Sequence, residues 1–344
     1  MDALTAPELI YYCIVLVLSY AIRGSAGFGV VTIPLLALVL PMKIVVPMVT
    51  VLGILTSCSI LARDARHVEW REMFRLLPFT VVGLVTASRV QPLTVRTVLL
   101  AVVAFGAARF AAMGFNRIAD ARYDAANPRT AQRELPAGRM SVREAWALVA
   151  LMAAVFVAAA ALLNPLCAAL SPVALVWVMS YSFAKRFTSL SHLWLGLGMA
   201  IAPVGGYLAV TGSWMDPWWA LLLLAAVVTC WGGGFDVLYS LQDEAFDREH
   251  GLRSLTVALG PVRAIAASRV LHLLAILALA GFGLAAGYGV VFFAGVVVAA
   301  GLLVWEHQLV APGDYQRLDA AFFAMNGIIS AVVMAGAIAD AVLR

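Results

Sequence analysis

Asn116, Asp120 and Asp124 stand four residues apart, and on a helix that spacing places all three on one face. Carboxylates stacked in this way repel one another unless a cation lies between them. A second acidic group falls in "FDVLYSLQDEAFDREHGLRS", Phe235 to Ser254, where Asp236, Asp243 and Asp247 follow at i, i+7 and i+11, the intervals of one helical stripe, with Tyr239 and Gln242 beside it. Oxygen donors without His or Cys select a hard cation. Mg²⁺ is typically held by one or two carboxylates together with substrate phosphates, not by a complete protein cage. The two groups therefore suit a diphosphate bridged by Mg²⁺, with Asn116, Asp120 and Asp124 serving one ion and Asp236, Asp243 and Asp247 the other. Arginines follow both groups, and Lys185, Arg186, Arg129 and Arg133 are candidate clamps for the remaining diphosphate oxygens, with a topology-only role an equal reading for any one of them. The plain alternative is a set of solvated charges at helix ends. Matching registers on the same side of the chain's apolar runs weigh against it.

The elements that must position these side chains are membrane helices. The chain has 344 residues, of which 63% are hydrophobic and 12% charged, against about 25% charged in an ordinary soluble protein. That balance excludes a soluble globular core and points to a polytopic membrane protein. Apolar runs recur near 9–21, 26–40, 44–62, 72–89, 94–115, 143–163, 165–182, 190–210, 216–235, 261–286, 288–308 and 319–342. They are continuous rather than alternating, which predicts helices and not barrel strands. The fold class is an all-α transmembrane bundle. Alternating the spans gathers the loops near 22–25, 63–75, 116–143, 183–189, 236–263 and 309–318 on one side, with 17 of the 23 basic residues. So lopsided a split assigns that side to the cytoplasm of a bacterial-type inner membrane. Topology alone explains the basic loops, so no nucleic-acid partner is implied. The N-terminus lacks the basic region of a cleaved signal peptide. The cysteines Cys13, Cys58, Cys167 and Cys230 lie in apolar runs without metal-type spacing, and read as small buried hydrophobes. Glu306 and His307 close a span and read as interfacial rather than catalytic, Asn326 as a hydrogen-bonding contact between helices rather than a ligand contact, and His192 as a packing residue, with capping or lining the site as the alternative.

"NRIADARYDAANPRTAQRELPAG" resembles the first aspartate-rich motif, NxxxDxxxD, of the UbiA superfamily of intramembrane prenyltransferases, and "DVLYSLQDEAFDREHG" resembles the second. "YSFAKRFTSLSH", Tyr181 to His192, is similar to the segment between them that meets the diphosphate. The resemblance covers about 72–344 and is nearest to the 4-hydroxybenzoate polyprenyltransferase branch and its menaquinone-pathway relatives. It implies a helical bundle with a central cavity open to lipid. It also implies Mg²⁺-dependent transfer of a prenyl chain from a polyprenyl diphosphate to an aromatic acid, a benzoate or a naphthoate, in quinone biosynthesis. Asp120, Asp124, Asp243 and Asp247 would be the catalytic carboxylates. Arg109 lies two helical turns before Asn116 within an apolar run, where a charge is expensive and faces a polar cavity. The resemblance places at this offset an arginine that holds the acceptor's carboxylate. Snorkelling to a headgroup is the competing reading. Tyr239 has two equal readings, a ring facing the prenyl cation or a packing contact.

Residues 1–70 do not fit that pattern. "AIRGSAGFGVVTIPLLALVLP", Ala21 to Pro41, together with "ARDARHVEWRE", resembles the first repeat of the TauE/SafE sulfite-exporter-like family. The expected organisation is therefore an exporter-like membrane segment of about three helices over 1–71 and a prenyltransferase-like domain over 72–344. Gly24, Gly27 and Gly29 read first as close helix packing; two rival readings of the protein remain, an anion exporter built on these glycines and an inactive fusion that serves as a membrane scaffold.

Overall fold

The computed structural model describes residues 70–127, 130–310 and 325–343. The exporter-like segment, and the three helices expected in it, lie outside the described residues. Among those residues there is no strand. Helices α1 (Trp70–Ser88), α2 (Val95–Ala126), α3 (Val142–Leu163), α4 (Pro165–Phe187), α5 (Ser191–Thr211) and α6 (Trp219–Tyr239) follow one another. A 3-10 turn (Ser240–Asp243), two short helices α7 (Glu244–Glu249) and α8 (Leu255–Leu259), and then α9 (Pro261–Ala285), α10 (Val290–Gln308) and α11 (Asn326–Val342) complete the order. Among the described residues, seven helical stretches are long and apolar enough to cross a membrane. Their outward faces carry Val95, Val173, Val176, Val290 and Val297, all well exposed. In lipid such residues need no cover, because the bilayer is itself apolar.

Local chemistry sets the helix ends. Ser141 and Glu144 form a reciprocal capping box at the start of α3, which satisfies two of the donors a helix N-terminus leaves open. Asn164 ends α3 and caps α4 through Cys167 N–H, while its amide donates to Leu208 O of α5 at 2.9 Å. Pro165 and Pro261 open α4 and α9, where a missing N–H costs nothing. The core gathers around Trp231, Phe79, Phe282, Phe292, Leu221 and Leu224. Helix α6 is its spine, packed against α5 and α9. Two glycines permit close approaches of one helix backbone to another. A Cβ at Gly83 would lie 2.0 Å from Pro203 O, and one at Gly196 would lie 2.3 Å from Thr229 O.

The structure departs from the sequence expectations in three places that bear on function. The loop expected over 116–143 begins only after Ala126, because α2 runs on for 32 residues and carries the whole first acidic motif. Nothing in the sequence between Phe115 and Ala126 breaks a helix, and Asn127 is its C-cap. Helix α4 likewise extends to Phe187, so Lys185 and Arg186 occupy its last turn rather than a loop, where cations complement the helix dipole. The second acidic stripe is not one continuous α-helix. The Ser240 hydroxyl donates back to Val237 O at 2.8 Å and the chain tightens into a 3-10 turn before α7, a bond by which serine competes with regular helix. A fourth correction concerns Glu306, expected at the interface. It is fully buried and accepts from Asn326 Nδ2 at 2.9 Å, while His307 Nε2 lies 3.0 Å from His272 Nδ1. Helices α9 and α11 cover this turn of α10, and the pairing of Asn326 is the interhelical bond expected from sequence.

Candidate active site

Both acidic motifs are built at the same end of the bundle, around the last turn of α4. Consecutive residues on a helix point about 100° apart, and here that divergence links the two motifs. Arg186 donates to Asp120 Oδ1 at 3.2 Å and to Ala119 O at 2.6 Å, both on α2. Lys185 Nζ donates to Asp247 Oδ2 on α7 at 2.8 Å. Asn116 Nδ2 donates to Asp120 Oδ2 at 2.8 Å and to Ser182 Oγ, one turn earlier on α4, at 3.3 Å. The α2 motif is thus tied to α4 by two side chains and the α7 carboxylate by a third. Tyr181, half-buried on the same turn, lies within electrostatic reach of Asp236, Asp120, Arg109 and Asp247. These four residues come from three helices, α2, α6 and α7, and all lie near Tyr181 on a fourth.

The remaining predicted residues divide as follows. Asp124 is buried and accepts from Arg133 at 2.7 Å through Oδ1, while its Oδ2 makes no hydrogen bond among the described residues. Thr130 Oγ1 donates to Asp124 O at 3.1 Å, which folds the segment after α2 back over the motif. Asp236 pairs with His192 Nδ1 at 2.7 Å. Asp243 is half-buried at the end of the 3-10 turn, within electrostatic reach of Lys185. Tyr239 is half-buried and packs against two apolar clusters, one of them formed by Val237, Leu238, Leu241, Ala264, Ile265 and Val310. Arg109 is half-buried, with its Nε enclosed, two turns from Asn116 on the same helix. Arg129 lies outside the described residues. The motifs are close through their basic partners, yet among the described residues no three of His, Cys, Asp and Glu meet as a metal-ligating group.

Three side chains at this site carry no metal, diphosphate or acceptor role in the sequence expectations. Ser182 was hidden because a serine in an apolar helix usually bonds its own backbone. Arg253 resembled any topology-setting arginine. Its backbone N–H donates to Lys185 O at 2.6 Å and its guanidinium to Phe187 O at 2.9 Å, so it fastens the segment before α8 to the end of α4. His192 was read as packing, and it touches an acidic-motif residue directly.

The donor set fits Mg²⁺. It is all oxygen, it includes one enclosed carboxylate oxygen without a partner (Asp124 Oδ2), and it is divided between two sides as an ion shared with a ligand's phosphates requires. Lys185 and Arg186 occupy the space between the motifs as counter-cations, each on a carboxylate that an ion could take over.

A helical membrane bundle thus brings two acidic motifs together about one basic helix end. The chain belongs to the UbiA prenyltransferase family, whose profile matches residues 76–328. It is similar to the 4-hydroxybenzoate octaprenyltransferase of Shewanella woodyi, 32% identical over 146 residues, covering 42% of this chain and 50% of that protein. The alignment thus spans about half the length of such curated relatives. An apo structure of a UbiA homolog from Aeropyrum pernix superposes with a TM-score of 0.72 at 35% identity, over 79% of this chain and 99% of that one. The structure of a UbiA homolog from Archaeoglobus fulgidus bound to GPP and Mg²⁺ has the same fold, with a TM-score of 0.57 at 18% identity, over 79% and 98% of the two chains.

Proposed function

We propose that this protein transfers a polyprenyl group from an allylic diphosphate to an aromatic acid, a hydroxybenzoate or hydroxynaphthoate, in quinone biosynthesis, with Mg²⁺ as its cofactor. The observation that carries this reading is the pairing of Lys185 and Arg186, neighbours on one helix, with carboxylates of the two separate acidic motifs. Support comes from the 4-hydroxybenzoate octaprenyltransferases among its relatives and from the homolog bound to GPP and Mg²⁺.

Asn116, Asp120 and Asp124 would hold one ion, and Asp236, Asp243 and Asp247 the other. Bound Mg²⁺ supplies charge stabilisation to a departing diphosphate. Lys185, Arg186, Arg133 and Arg129 are the cations available to its remaining oxygens. As the diphosphate departs, positive charge grows on the allylic carbon. The Tyr239 ring would face it; an electron-rich acceptor ring attacks it as the C–O bond to the diphosphate breaks, and the substituted ring carbon then gives up its proton to the departed diphosphate or water. Arg109 holds the acceptor's carboxylate and so turns the ring toward the prenyl end. The apolar tail stays in the bilayer, and the reacting ends meet at the cytoplasmic face.

The test uses isolated membranes supplied with labelled polyprenyl diphosphates of several lengths and with both classes of acceptor. Label should move to an aromatic acid, and chelation of Mg²⁺ should stop the transfer. Label that remains on the diphosphate with every acceptor would refute the reading.

A further inference from the structure

His192 belongs to neither acidic motif, yet its side chain is entirely enclosed. It stands in the first turn of α5, between the end of α6 and the start of α8. Its Nδ1 lies 2.7 Å from Asp236 Oδ2, and the backbone N–H of Leu255 points at its Nε2 over 3.4 Å. A backbone N–H can only donate, so Nε2 carries the lone pair and Nδ1 the proton. The ring therefore donates to Asp236. Its orientation is fixed from behind: Ser254 caps α8 through Val257 N–H, and Arg253 anchors the same segment to α4. Asp236 makes no other side-chain hydrogen bond among the described residues and its side chain is 17% exposed, so Oδ1 keeps its lone pairs available.

We propose that His192 is a positioning residue: by fixing one oxygen of Asp236 it presents the other to the ion of the second motif. The proposal rests on the Mg²⁺–diphosphate reading of the site. The frame runs from backbone N–H to imidazole to carboxylate to metal, and hydrogen-bond partners of this kind tune ligand orientation and metal affinity.

The experiment measures Mn²⁺ binding, as a probe for the Mg²⁺ site, by electron paramagnetic resonance. It uses the full-length protein in detergent with inorganic pyrophosphate present. Relative to wild type, His192→Leu should weaken Mn²⁺ binding about tenfold or more, whereas His192→Asn, whose Nδ2 takes the place of Nδ1–H, should stay within about threefold. The acceptor KM should not move in either variant. Equal affinity in wild type and His192→Leu overturns the positioning role and leaves the proposed function standing. Absence of Mn²⁺ binding by wild type overturns both. Should His192→Leu fail to fold, ¹⁵N-histidine spectra of the wild type decide, with the His192 signals assigned by their loss in His192→Asn. An Nδ1–H tautomer whose signals move on adding Mg²⁺ and pyrophosphate supports the proposal; an Nε2–H tautomer, or signals that do not move, overturns it.

Discussion

At the scale of single residues, the site consists of carboxylates already held by cations. Asp120 is held by Arg186 and Asn116, Asp124 by Arg133, and Asp247 by Lys185. This arrangement keeps like charges apart until a ligand arrives. Each carboxylate is expected to be essential for a reason distinct from stability. Asp120→Ala and Asp243→Ala should each lower prenyl transfer by about 100-fold or more while the protein still inserts; measured transfer near wild type in either variant would remove the metal roles. Arg109→Ala should raise the acceptor's KM more than the donor's, since it is expected to touch only the carboxylate of the acceptor. Initial rates at varied concentrations of each substrate separate the two. Lys185→Ala leaves Asp247, whose side chain is 3% exposed, without its partner, and should destabilise the fold by about 3 kcal/mol. Adding Asp247→Asn should restore much of the lost stability and none of the activity, which thermal melting in detergent and the transfer assay will distinguish.

At the scale of elements, the site depends on helices that continue past the apolar runs. Helices α2 and α4 carry their polar residues on final turns, and α6 passes its motif through a 3-10 turn to α7. The positions of these ends are set by close packing lower down, at Gly83 against Pro203 and at Gly196 against Thr229. Gly83→Ala places a methyl group 2.0 Å from a carbonyl oxygen that cannot yield without moving α5. It should cost about 1–3 kcal/mol. Gly106→Ala on α2, where no atom lies within 4 Å of the new Cβ, is the control and should leave the melting temperature unchanged or higher.

At the scale of the whole molecule, alternating helices place the segment after α2, the turn after α6 and the short connection after α4 at one end, and the connections after α5 and α9 at the other. The basic residues favour the first end, which predicts that it faces the cytoplasm. A membrane-impermeant thiol reagent should label Ser213→Cys in intact cells above the wild-type background, and Ala137→Cys only after the membrane is opened. The reverse pattern would place the site on the outer face. Much of this architecture was legible beforehand, because membrane helices announce themselves by apolar length. Each of the nine runs expected from residue 72 onward corresponds to a helix. Their ends were legible only in part. A polar motif such as "NRIADARYDAA" reads equally as loop or as the wet end of a helix, and only the absence of a breaker before Asn127 favours the helix.

Residue type and spacing alone determined that the chain is a membrane bundle, and they pointed to the oxygen ligands, hard cation and two acidic stripes on which the proposed chemistry rests. Tertiary structure alone decided which cation meets which carboxylate, because the partners of Asp120 and Asp247 lie 66 and 62 residues away in sequence. It decided also that His192 faces Asp236, 44 residues away, and that Glu306 is buried rather than interfacial. Periodicity is a property of one helix. The contacts that define the site are made between helices, and these are fixed by small-residue packing and hydrogen bonds that no local pattern records.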